Sequence, residues 1–216
     1  MAALGQSIRR SAIGLGLFAV ITGGTIAVTQ VMTEERIEQQ IARAEARALF
    51  EIIPETVHDN NMLEDAFELP ADPERGFRQP FTAWKATSQG QPVGIILPVT
   101  APDGYSGDIK LLVGIDPVGK VLGVRVTSHK ETPGLGDKVE RKKSDWVLDF
   151  NGRSLDNPGP EGWTVAKNGG VFDQFTGATI TPRAVTKAVH KALLYFRTHQ
   201  PEILQAFDGV NPQEQS

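Results

Sequence analysis

Apolar and polar positions change rhythm along the chain, and each rhythm predicts a different element. Residues 11–33 carry no ionisable side chain. At a rise of about 1.5 Å per residue, a helix of that length spans the roughly 30 Å hydrocarbon core of a bilayer. Residues 34–50 switch to a helical period, with Ile37, Ile41, Ala44 and Ala48 on one face and Glu, Gln and Arg between them. They predict a juxtamembrane continuation of the same helix, stopped by Pro54. Residues 58–80 lose any period. Pro70, Pro73 and Pro80 among acidic residues predict a surface connection there.

Period two follows. Residues 81–88 and 93–99 flank Gln89-Gly90-Gln91 and predict a hairpin, with Pro98 suited to an edge. Residues 108–116 and 121–129 flank Pro117-Val118-Gly119-Lys120 and predict a second hairpin. Ile109, Leu111, Val113 and Ile115 fall opposite Lys110, Leu112, Gly114 and Asp116, the alternation of a strand with one side buried. Residues 139–150 predict a helix, and residues 182–199 a stronger one. There Thr181 is the expected cap, Pro182 sits in the first turn, and Val185, Val189, Ala192 and Phe196 share a face before Pro201 ends it. The whole reads as α+β: an N-terminal transmembrane helix, then an antiparallel-sheet domain with flanking helices.

Charge orients this arrangement. Arg9 and Arg10 precede the apolar stretch, and Glu34 and Glu35 follow it. Positive charge stays on the cytoplasmic side, so the N-terminus is expected in the cytoplasm and the main body outside it. Gly14, Gly16, Gly23 and Gly24 are poor in a soluble helix and ordinary in a bilayer one. A cleaved signal peptide begins similarly, but has a shorter apolar core and a small-x-small site, which this segment lacks. From Glu34 onward 20 basic residues face 26 acidic ones, an acidic body that argues against nucleic acid as a partner. The absence of cysteine excludes a disulfide framework, thiolate metal or iron–sulfur ligands, CxxCH haem attachment and a thiol nucleophile.

Familiar catalytic strings fail. Gly104-Tyr105-Ser106-Gly107 begins like a nucleophile elbow, but Asp108 takes the last glycine's place. Gly134-Leu135-Gly136 lacks the third glycine of a dinucleotide fingerprint. The four histidines share no metal-ligand spacing. Two segments remain. Ser128-His129-Lys130-Glu131-Thr132-Pro133-Gly134-Leu135-Gly136-Asp137-Lys138 leaves a patterned strand and concentrates glycines, a hydroxyl and charges. Its glycines let a ligand approach backbone N–H groups, although a plain surface loop has the same composition. Asp173-Gln174-Phe175-Thr176-Gly177-Ala178-Thr179-Ile180-Thr181-Pro182 runs into the start of the last helix, where unpaired N–H groups and the dipole favour a phosphate. A loop ending in a threonine cap reads equally well. Thr179 has no neighbouring histidine to activate it, so a self-acting nucleophile is not expected.

Asp173-Gln174-Phe175-Thr176-Gly177-Ala178-Thr179 resembles the D-x-x-[ST]-G-A-T signature of bacterial FMN-binding domains that carry their flavin covalently. The Glu131-Thr132-Pro133-Gly134-Leu135-Gly136 run and Gly104-Tyr105-Ser106-Gly107 before a strand also match that family. With the N-terminal anchor, the chain as a whole is similar to the G-subunit family of the Rnf electron-transport complexes. The resemblance implies FMN joined through its phosphate to Thr179 by a flavin transferase that uses FAD. It implies a cofactor site comprising Asp173, Thr176, Gly177, Ala178, Thr181, Tyr105, His129, Glu131, Thr132, Gly134, Leu135, Gly136 and Lys138. Thr132, Gly134, Leu135 and Gly136 line the ring or the ribityl chain, and Asp173 is read by the transferase. Three regions follow: a cytoplasmic tip and anchor over 1–33, a juxtamembrane helix and connection over 34–80, and an FMN-binding domain over 81–216.

The expected function is a single-pass electron carrier of the bacterial inner membrane, its main domain periplasmic. Its expected partners are other membrane subunits of a complex that couples electron flow between ferredoxin and NAD to ion movement. A covalent link suits a compartment where lost FMN is hard to replace, and the cofactor, not an acid or base of the chain, does the redox chemistry. Three alternatives stand beside it. One is the C subunit of a sodium-translocating NADH:quinone reductase, which shares the signature. Another is a cofactor-free membrane-tethered binding domain. The third is a stand-alone flavin enzyme, for which His129 is the obvious proton donor.

Overall fold

The computed structural model describes residues 2–207 and shows two helices and one sheet. Helix α1 (Ala2–Ile52) runs unbroken and stops where Pro54 denies the α conformation to the residue before it. Within it Arg9–Glu34 is long and apolar enough to cross a membrane. Thr22, Thr25, Thr29 and Thr33 each donate a hydroxyl to the carbonyl four residues earlier at 2.8 Å. The stretch thus leaves no hydroxyl proton of these threonines unpaired, as an apolar surrounding requires. The side chains of Ile37 and Ile41, assigned to the apolar face by period, lie outside the described residues.

The chain divides into two compact units, Met1–Ala44 and Glu45–Ser216. The second is built on five antiparallel strands in sequence order, β1 (Ala66–Leu69), β2 (Phe81–Ser88), β3 (Gln91–Ala101), β4 (Ile109–Ile115) and β5 (Val121–Ser128). Two-residue chemistry closes the β2–β3 hairpin, with Gln89 and Gly90 both at positive φ (51° and 74°), as a primed turn demands. In the β4–β5 turn the Asp116 carboxylate accepts from the backbone N–H groups of Val118 and Lys120. Helix α2 (Ile180–Phe207) covers one face. Ile95, Leu97 and Val99 of β3 and Ile109, Leu111, Val113 and Ile115 of β4 meet its Val185, Val189, Ala192 and Phe196 there. That much of the alternation is as the sequence indicates.

Five details differ. The far face of β4 is also covered: Leu112 is buried, and the end of α1 (Ala48, Leu49, Ile52, Ile53) packs on Leu112, Ile96 and Ala86. Space for it comes from missing side chains, since a Cβ on Gly123 would stand 3.4 Å from Ile52 and one on Gly114 would collide with it. Pro98 lies in the central strand, not at a sheet edge, but pairing with β2 stops at Ile96 and leaves a local edge there. Residues 58–80 are more than a surface connection. They contribute β1, and Asn60 stitches them to β2 by donating to the Lys85 carbonyl and accepting from the Thr87 N–H. Residues 139–150 hold one 3-10 turn (Trp146–Phe150), after another that ends at Val139 (Gly136–Val139), in place of an α-helix. Finally, α2 continues through Pro201 to Phe207, because Ile203 and Ala206 are buried and Lys85 donates to the Ala206 carbonyl at 2.8 Å. Those contacts outweigh the roughly 3 kcal/mol a proline costs inside a helix.

Candidate functional site

Three chain segments, far apart in sequence, converge on one carboxylate. Glu131 leaves β5 just after His129 and is 5% exposed. Its Oε1 accepts the Ser106 N–H at 2.9 Å, and its Oε2 accepts the hydroxyl of Thr181. Gly136 packs between them: a Cβ there would lie 2.8 Å from both Glu131 Oε2 and Thr181 Oγ1. The predicted residues Glu131, Gly136 and Thr181 are therefore neighbours, with Tyr105 beside Ser106. Thr181 does not cap the helix. It sits inside the first turn of α2 and spends its proton on Glu131, so the cap reading fails.

Two tight turns flank this point. In Thr132-Pro133-Gly134-Leu135 the Leu135 N–H returns to the Thr132 carbonyl at 3.1 Å, with Gly134 at φ 79°. In Phe175-Thr176-Gly177-Ala178 the Ala178 N–H returns to the Phe175 carbonyl at 3.1 Å, with Gly177 at φ 80°. Both have the positive third residue that a type II turn requires, and the first has proline second. The turns touch, for a Cβ on Gly177 would stand 3.5 Å from Leu135 Cδ2. Below the second turn Trp146 packs edge-on to Phe175 and donates its indole N–H to the Asp173 carbonyl at 2.8 Å. Asp173 thus contributes its backbone to the site's support, while its side chain is exposed. Trp146 belongs to no motif that sequence reasoning picks out; a tryptophan amid Lys, Ser and Asp is the only local signal it gives.

Thr179 stands directly before α2 and is half-buried. Among the described hydrogen bonds its hydroxyl has no partner, and the backbone N–H groups of Thr179, Ile180 and Thr181 have no acceptor. Pro182 has no N–H to satisfy. Free donors at the positive end of a long helix suit a phosphate, and at the neighbouring 132–135 turn no atom lies within 4 Å of where a Cβ on Gly134 would stand. The donor set therefore fits the phosphate of FMN.

His129 takes a different part. Its Nδ1 accepts the Glu131 N–H at 3.0 Å, which leaves the proton on Nε2, 2.6 Å from Glu140 Oε1. Both ring nitrogens are engaged in bracing the loop, so the histidine has none to offer a substrate. Lys138 is half-buried, and its carbonyl accepts the Ser144 hydroxyl at 2.6 Å. Asp137 beside it is 6% exposed, with Oδ2 3.7 Å from Lys143 and Oδ1 lacking a partner among the described residues. No cluster of potential metal ligands occurs among the described residues.

A cleft of about 520 Å³ lies between α2 and the 73–79 and 100–108 segments, lined by Arg78, Asp103, Lys187 and Lys191 among others. None of the sequence-predicted site residues lines it. Lys187 donates to Asp103 at 2.6 Å, and this hydrogen bond, with the lysine's charge, holds the Asp103 carboxyl below its ordinary value.

Comparison with known proteins places these features. Residues 104–194 match the model of the FMN-binding domain, and residues 1–52 that of the RnfG N-terminal region. The G subunit of the ion-translocating oxidoreductase complex of Pseudomonas aeruginosa is 49% identical over 94% of this chain and 95% of its own length. Its namesake from Shewanella piezotolerans is 45% identical over 93% and 95%. Among solved structures, that of Shewanella oneidensis NqrC is similar, with a TM-score of 0.50 and 24% identity over 68% of this chain and 75% of that one. At that identity the likeness is one of fold.

Proposed function

The chain belongs to the family of G subunits of ion-translocating oxidoreductase complexes, and from that premise we propose that it is a membrane-anchored electron carrier holding FMN through a phosphoester on Thr179. The observation that carries this reading is the start of α2. There a free threonine hydroxyl stands with three backbone N–H groups without acceptors, its own residue's among them, inside the matched FMN-binding domain. Thr181 is committed to Glu131, and Thr176 stands out in the exposed turn. Of the three hydroxyls, that of Thr179 is placed where a phosphate also meets the helix dipole.

Attachment joins Thr179 Oγ1 to the FMN phosphorus and breaks the pyrophosphate of an FAD donor. AMP leaves and the hydroxyl proton is lost, in a reaction supplied by a separate flavin transferase. The bound flavin then supplies the capacity to accept and release electrons. The chain's own part is to bind, orient and seat it: the N–H groups of α2 hold the phosphate, and the 132–135 and 175–178 turns flank the ring. With both nitrogens of His129 engaged, nothing supports the alternative of a stand-alone flavin enzyme using it as proton donor.

Arg9 and Arg10 before the apolar span, with Glu34 after it, support a cytoplasmic N-terminus and a periplasmic body anchored in the bacterial inner membrane. Neighbouring membrane subunits of an ion-translocating complex working between ferredoxin and NAD are then its electron partners. The test is expression with and without a flavin transferase, read by intact mass and flavin fluorescence on a denaturing gel. A gain of one FMN less one water, absent in Thr179→Ala, is expected. An unmodified chain in the presence of a competent transferase sinks the proposal.

A further inference from the structure

Each of the three segments pinned at Glu131 follows one pattern: its inner residue or N–H meets the carboxylate, and the residue just before it is apolar and exposed. Ser106 is preceded by Tyr105 (69% exposed), Gly136 by Leu135 (41%) and Thr181 by Ile180 (44%). Large apolar side chains left to solvent at three converging segments need an occupant or a partner. A carboxylate this deeply buried is retained only where donors satisfy it, and here the two donors belong to the segments that carry Tyr105 and Ile180, while Gly136, whose own N–H returns to the Thr132 carbonyl, packs directly on the carboxylate. Gly104 tightens the joint, since a Cβ there would lie 3.1 Å from Glu131 Oε1.

We propose that Glu131 is a positioning residue: it touches no flavin atom, and by bonding Ser106 and Thr181 and packing on Gly136 it presets Tyr105, Leu135 and Ile180 as an apolar seat for the flavin ring beside Thr179. This rests on the flavin reading above and adds which group holds the seat rigid. A ring that is tethered only through its phosphate turns freely, whereas a preset seat fixes one orientation and one environment, and with them the flavin's potential.

The experiment uses the full-length chain, co-expressed with a flavin transferase and purified in detergent, as parent, Glu131→Gln and Glu131→Ala. Intact mass reports flavin occupancy, and visible circular dichroism per attached flavin reports ring orientation. The midpoint potential reports environment, and melting of the flavin-free chain reports stability. In Glu131→Ala the visible dichroism falls severalfold and the potential moves toward that of free FMN. Glu131→Gln keeps most of the parent signal, because an amide still accepts from Ser106 and bonds the Thr181 hydroxyl in the reverse sense. A Glu131 that matters only for stability lowers the melting temperature and leaves the dichroism per flavin unchanged, which overturns the proposal. Equal losses in both variants overturn it too, since a geometric clamp tolerates the amide. Should Glu131→Ala not fold or take up flavin, Thr181→Val decides: loss of dichroism supports the clamp, and a parent-like signal refutes it. A parent chain that stays flavin-free sinks the electron-carrier reading itself, a separate outcome.

Discussion

The two faces of the sheet are closed by different means. Toward α2 the strands present Ile95, Leu97, Val99, Leu111 and Val113, and closure comes from side chains that fill the space. Toward the end of α1 the sheet presents Ile96 and Leu112 together with Gly114 of β4 and Gly123 of β5, and the side chains missing at the two glycines let Ile52 lie almost on the backbone. One face is therefore sensitive to losing atoms and the other to gaining them. The candidate site belongs to the filled face, because Thr181, Ala184 and Ala188 of α2 are buried along the same helix that covers it.

The largest expected effect tests the filled face. Leu97→Ala removes a side chain with no exposure and should cost about 2–5 kcal/mol, read from chemical denaturation. Leu97→Met should be far milder if volume is what matters. On the other face the sense reverses: Gly114→Ala adds a methyl against Ile52 and should cost about 1–3 kcal/mol. The combination with Ile52→Ala sharpens the comparison, for the double variant should be less destabilised than the sum of the singles. Additivity there breaks the claim that Gly114 exists to admit Ile52.

A smaller and more local effect is expected below the site. Trp146→Phe keeps the aromatic packing on Phe175 but removes the donor to the Asp173 carbonyl, at about 1 kcal/mol for one hydrogen bond. Its mark is local: amide exchange in 173–178 should rise while that of β3 and β4 stays slow. Uniform acceleration across the sheet contradicts a support role confined to that turn.

How much of this is legible in the sequence depends on how far apart the interacting residues lie. The alternation of β4 and the face of α2 are local and can be read directly. Leu112 looks solvent-facing because its cover, Ile52, lies some sixty positions away, and Gly114 reads as a weak spot when it is a socket. Thr181 is the clearest case. A threonine before a proline at a helix start is a sound cap signal, and only Glu131, fifty positions earlier, diverts its hydroxyl. β1 is hidden by the prolines around it, and Pro201 signals an end that Ile203 and Ala206 override by burial. The 173–179 motif is legible because it is contiguous; the bond that ties Thr181 to Glu131 is not.

The smallest effect concerns protons, and it separates the faces by pH. His190 of α2 stacks on Trp163 with ring centroids 5.4 Å apart. Burial, and secondarily the charge of Arg197, holds it below its ordinary value of 6.5. On acidification the unfolded chain therefore takes up this proton first, so stability falls as the pH drops below 6.5. Asp72 acts in a lower window. Burial alone would raise its carboxyl, but the hydrogen bonds and charge of Arg75 prevail and hold it below 3.8, so its contribution is lost only below that value. Melts at about pH 7.5 and about pH 5.5 bracket the histidine's window and leave that of Asp72 untouched. His190→Gln should lessen the loss between them, while Glu51→Gln, which weakens the Arg125 pair at the end of α1, should leave it unchanged. An equal flattening in both variants would mean that the acid response is not a property of the α2 face.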